Sequence, residues 1–165
     1  MKTYNIILFI ALQSFVFAVF SQDIKGGFEI TTSNNKTSFR NVNMDNYKGY
    51  PKDRNGKEIG NPSSTFSSKE KLKKIESEVY NEEERNYILT HYKPRATVLV
   101  RASDGKIVSA VFTFDNLPDP SVIDTKKLWK LQERIMAEIT LENLLFNGQK
   151  AVSGYMPLSI RFFRP

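Results

Sequence analysis

The strongest constraint on this chain is a change of hydrophobic period along residues 95–139. From Ile107 to Asp115 apolar residues alternate, with Val108, Ala110, Phe112 and Phe114 on one face and Ser109 and Thr113 making the other more polar. Period two belongs to a strand with one buried face. Just upstream, within Arg95–Ala102, Thr97-Val98-Leu99-Val100 is a β-branched run. Ser103-Asp104-Gly105-Lys106 between the two is a tight-turn sequence, because glycine accepts positive φ. Downstream the spacing becomes three and four: Leu128, Leu131, Ile135 and Ile139 form one helical stripe, and Lys127, Lys130, Arg134 and Glu138 fall off it. Trp129 and Met136 widen the apolar side. Leu117-Pro118-Asp119-Pro120 leads in, and Ser121, Asp124 or Thr125 supplies the cap. The helix is expected to stop near Phe146, where Asn147-Gly148 offers a left-handed exit.

A last strand is expected over Tyr155–Phe163, with Met156, Leu158, Ile160 and Phe162 inward and Ser159, Arg161 and Phe163 opposite. A helix with one apolar stripe must cover an apolar sheet face. The expected fold class is therefore α+β, a two-layer sandwich. An antiparallel sheet of hairpin–helix–strand order packs on one main helix, behind an N-terminal helical and irregular arm.

The front of the chain reads differently. Lys2 precedes an apolar stretch from Ile6 to Phe20, broken only by Gln13 and Ser14. It is shorter than the roughly 20 residues of a spanning helix. It fits a secretory leader over residues 1–21, cut between Ser21 and Gln22, with an uncleaved anchor as the competing reading. The expected location is outside the cytosol, periplasmic or extracellular, with no membrane span once the leader is removed. Residues 22–66 are polar and turn-rich and are expected to be a partly ordered arm, with strand-like runs at Phe28–Thr31 and Lys36–Phe39. Asp53-Arg54-Asn55-Gly56 has the look of a calcium loop. It lacks the later carboxylate ligand and carries Lys57, so a hairpin turn is the better reading.

Residues 67–165 are expected to form the domain. It opens with Ser67-x-x-Glu70, a capping-box pattern, followed by Leu72, Ile75 and Val79 at helical spacing. Lys69, Lys71, Lys73 and Lys74 interleave with Glu70, Glu76 and Glu78, which reads as a solvated face. Asn81-x-x-Glu84 starts a second short helix ending near Tyr92, with His91 as a surface or packing residue.

Composition removes most chemistry. The 165 residues contain no Cys and one His, which excludes thiolate metal sites, disulfides, a cysteine nucleophile and multi-histidine centres. An exported chain without cystines holds together by packing alone. There is no phosphate-binding loop and no Gly-x-Ser-x-Gly elbow around Ser109, Ser153 or Ser159. No catalytic, cofactor-binding or metal residue is expected, and the chain is read as a non-enzyme. The net charge of +6 would suit an anionic ligand. Export and the mixed-sign lysine helix argue against nucleic acid.

The hairpin–helix–strand order resembles the C-terminal domain of TonB-type proteins. Its carriers are Thr97 to Val108 with the Asp104-Gly105 turn, the helix around Leu128–Ile139, and Gly154-Tyr155-Met156-Pro157-Leu158-Ser159-Ile160-Arg161-Phe162. Leu144-Leu145-Phe146-Asn147 lacks the proline that usually ends the family's helix, and no proline-rich linker is present. The resemblance thus implies the fold more than energy transduction. The leader and the Ser21-Gln22 junction also resemble those of small secreted Bacteroidetes proteins of unknown function. TonB-type domains bind partner peptides at a sheet edge, and that resemblance implies strand addition on the last strand here. The expected partner-binding residues are Ser159, Arg161 and Phe163, and the expected partner is a protein of the cell envelope. The competing readings are an edge covered by the 22–66 arm, and an anionic-ligand or polysaccharide binder.

Overall fold

The computed structural model describes residues 23–60, 62 and 68–164. The leader expected over residues 1–21 and the Ser67 cap lie outside them. Six strands form one antiparallel sheet in the order β1-β2-β3-β5-β4-β6: β1 Asp23–Lys25, β2 Phe28–Ser33, β3 Lys36–Asn41, β4 Arg95–Arg101, β5 Ile107–Asp115 and β6 Tyr155–Arg161. The described residues also form three α-helices, α1 Lys69–Val79, α2 Glu82–Tyr92 and α3 Thr125–Glu138, of which α3 packs on the sheet. The class is α+β, as the periodicity requires. Among the described residues no helix is long and apolar enough to cross a membrane.

The register explains why one face dries and the other does not. Ile30, Phe39, Phe112, Ala96 and Ile160 lie opposite one another across β2, β3, β5, β4 and β6, and all are buried. The adjacent row, Thr31, Ser38, Thr113, Arg95 and Arg161, is polar and faces the other way. Period two along each strand thus becomes period two across the sheet. Phe28, Phe39, Phe112, Phe114 and Phe162 meet edge to face, with ring centroids 5.5–6.3 Å apart. That geometry suits the ring quadrupole.

The predicted stripe Leu128, Leu131, Ile135 and Ile139 is buried, and α3 packs on β5 and on α1. Asp124 is the cap: its carboxylate accepts the N–H groups of Lys126 and Lys127. Asn81 and Glu84 form the reciprocal capping box of α2 at 2.8 and 3.0 Å. Ion pairs lace the helices together, Glu78 to Arg134 and Glu84 to Lys127.

Four expectations change. The strand-like runs placed in a separate arm join the main sheet, because Asn34 and Asn35 adopt positive φ to turn β2 into β3, and β3 pairs with β5. The sheet therefore has six strands where the hairpin and last strand alone supply three. Helix α3 ends at Glu138, well before Phe146. Thr140 bridges to Lys106, and the Leu141 N–H donates to the Gly105 carbonyl, so the hairpin turn captures the chain and extends it. The last strand stops at Arg161, two residues early. Glu76, read as part of a solvated face, is buried. The Asp53 turn behaves as a turn: its carboxylate accepts the N–H groups of Asn55 and Lys57.

The Gly105 contact gives a prediction. A Cβ there would sit 2.0 Å from the Leu141 carbonyl oxygen, at φ +73°. We expect Gly105→Ala to destabilise by on the order of 2 kcal/mol or more, read from the urea midpoint. An unchanged midpoint would show that the turn and the 139–141 segment move apart freely.

Candidate functional site

The sheet has two edges, β1 and β6. The segment from Asp23 to Asn41 covers β5, not β6, so the last strand keeps its outer edge. The direction of its backbone groups follows from two hydrogen bonds. The Gly154 carbonyl accepts the Ala102 N–H on the β4 side, and the Tyr155 N–H donates outward to the Gly49 carbonyl at 2.9 Å. Backbone groups alternate sides along a strand. Pro157, Ser159 and Arg161 therefore turn theirs away from β4, with Met156, Leu158 and Ile160 turned toward it. Only the first outward position is met by the 47–59 segment, whose Tyr47 ring also rests on Tyr155 at 5.5 Å. Pro157 has no N–H to offer, a common feature of edge strands. The expectation that residues 22–66 blanket this edge thus holds at Tyr155 and at no later outward position among the described residues.

Helix α1 runs beside that edge and makes a groove of about 390 Å³ with it. Leu72 and Ile160 give its apolar floor, and Lys69, Lys73, Arg161 and Arg164 are the basic residues that border it. Glu70 and Glu76 are its carboxylates, and Ser159 completes the strand side. Among the described residues no ion pair engages these four cations, whereas Arg40, Arg95, Arg101, Lys127 and Arg134 are all paired elsewhere.

Glu76 sits at the base of the groove, 1% exposed. Removal from water pushes its carboxyl up to about 7, against the opposing pull of a hydrogen bond from the Phe163 N–H and of the nearby Arg85 and Lys73 charges. Its Oε1 has no hydrogen-bond partner. Its position follows from spacing: four residues after Leu72 and four before Tyr80, it lies on the buried stripe of α1 rather than on the lysine face.

The three expected partner-binding residues divide. Ser159 and Arg161 are exposed and line the groove. Phe163 does not: it adopts φ +61° just past the end of β6, and its ring turns inward against Tyr80 at 4.9 Å and Phe162 at 4.7 Å. Simple alternation from Ser159 and Arg161 fails there because the strand has already ended. Sequence reasoning missed Lys69, Lys73, Glu76 and Arg164. The lysines stood out in the chain, but only the fold sets them opposite Arg161.

His91 lies on the outer face of α2, where Nδ1 is 2.8 Å from the Tyr87 carbonyl oxygen and the ring stacks on Tyr87 at 4.3 Å. It packs locally and shares an open surface depression with Glu82, Glu83 and Thr90.

No protein-family model matches the chain, and no curated protein matches it. Among solved structures, the fold is similar to the crystal structure of a DUF5043 family protein from Bacteroides uniformis. The TM-score is 0.60 at 13% identity, covering 87% of this chain and 93% of that one. The likeness extends over nearly the whole of both chains and concerns the fold. The TonB-type resemblance rests on the order of motifs alone.

Proposed function

We propose that the protein is an exported, non-enzymatic binding protein that takes an extended segment of a partner as an additional strand on β6. The observation that carries this reading is the outer edge of Pro157–Arg161, which no described residue pairs, beside a groove walled by α1. An unpaired edge offers backbone donors and acceptors at fixed spacing, and a flanking groove lets alternate side chains be read. Five residues of strand span about 17 Å, enough for a short peptide. The motif order shared with TonB-type C-terminal domains supports the same mode of binding, and the leader-like residues 1–21 support export. Gly49 already meets Tyr155 in this manner, with one hydrogen bond from β6 to a neighbouring extended segment.

The test uses synthetic β-prone peptides, one neutral, one acidic and one basic, added to the isotope-labelled protein. We expect amide shifts centred on Ser159 and Arg161 with at least one of them. Ser159→Pro removes one outward N–H while leaving the β4 side intact, and should weaken that binding by about tenfold while the circular dichroism is kept. Shifts that map to another surface, or affinity indifferent to Ser159→Pro, would remove strand addition from the account.

A further inference from the structure

We infer that the segment accepted by β6 is acidic, an extended peptide whose carboxylates meet Lys69, Lys73, Arg161 and Arg164. This rests on the reading of β6 as a strand-adding edge and adds the chemistry of the occupant. Charge complementarity selects this occupant. Four cations border one groove, two from α1 and two from the C-terminal strand and its continuation. Among the described residues none of these four takes part in an ion pair, although Glu70 stands in the same groove. Glu76 is below the surface and cannot serve as their exposed counter-ion.

Like charges held on facing elements repel until an anion lies between them, so an acidic ligand gains where a neutral one does not. The ligand is an extended peptide rather than a sugar, because among the described residues no aromatic ring lines the groove to stack on a sugar face, and none meets the outward backbone groups of Ser159 and Arg161. An exposed charge pair adds only a few-fold in affinity. Several together should give about tenfold.

The experiment compares dye-labelled peptides binding to the full chain: alternating Glu and Val, alternating Thr and Val, and the first peptide N-methylated at every second residue. We expect the glutamate peptide to bind about tenfold tighter than the threonine peptide, and to lose that advantage in high salt. In the exposed double variant Lys73→Glu with Arg161→Glu the preference should disappear, the circular dichroism being unchanged. Equal binding of the glutamate and threonine peptides would overturn the acidic preference and leave strand addition standing. Undiminished binding of the N-methylated peptide would overturn strand addition, and the inference with it. Competition by sodium polygalacturonate as effective per charge as the peptide would show a polyanion site, which also overturns the inference.

Discussion

Urea unfolding should show this protein losing stability as pH rises from about 5 to about 8, and the loss should be absent in Glu76→Gln. The sign follows from the buried carboxyl. Folding raises the Glu76 pKa from its ordinary 4.5 to about 7. Between those values the folded state holds a proton that the unfolded chain has released. Where the folded state binds more protons, stability falls with rising pH. Below the lower value both states are protonated and the effect is absent; above the upper one the ionised group sits in the fold at its full cost. That cost is on the order of 3 kcal/mol.

Competing groups act in a different window. Arg40 holds Asp45 below its usual range, Arg101 does so for Asp104, Lys127 for Glu84 and Arg134 for Glu138. Those pairs contribute stability above their unfolded pKa values and lose it as pH falls, so they shape the acid limb and not the neutral one. Glu76→Gln keeps a carbonyl able to accept the Phe163 N–H and removes the charge. A flat profile in the parent protein, or the same slope in the variant, would show that Glu76 is solvated as an anion in solution.

The second large effect concerns the join between the N-terminal strands and the rest of the sheet. Phe39 is fully buried, lies opposite Phe112 in the register, and meets Phe28 and Phe114 edge to face. Truncation to alanine removes most of a buried ring and leaves a cavity, so Phe39→Ala should cost about 3–5 kcal/mol. For a domain of this size such a loss is a large part of total stability. We expect one cooperative transition in both parent and variant. The single Trp129 rests on Phe28 at 5.4 Å and reports on the N-terminal strands, while far-ultraviolet circular dichroism reports on the whole. Coincident curves are the expected result. Fluorescence that changes before the circular dichroism in the variant would make residues 23–41 a separable unit.

Helices α1 and α2, the β4–β5 hairpin, the α3 stripe and the start of β6 are all set by local patterns: period two, spacings of three and four, a capping box, an Asp-Gly turn. Each of these is a relation among residues a few positions apart, so the chain displays it before it folds. The pairing of β3 with β5 is not such a relation. Residues 36–40 and 111–115 meet through backbone groups that every residue carries alike, and the polar look of the N-terminal segment hides Phe28 and Phe39 as core. The end of α3 is likewise set from outside, by the Gly105 turn taking the N–H of Leu141 before the helix can use it.

The sequence by itself determined helices α1 and α2, the β4–β5 hairpin, the buried stripe of α3, and the two exposed β6 residues Ser159 and Arg161. Only the tertiary structure decided that β6 remains at the edge, that Phe163 turns inward, and that Lys69 and Lys73 stand across from Arg161 and Arg164. The physical reason is desolvation and long-range pairing. The burial that raises Glu76 and the gathering of four like charges both come from segments more than eighty residues apart in the chain, brought together by a shared core.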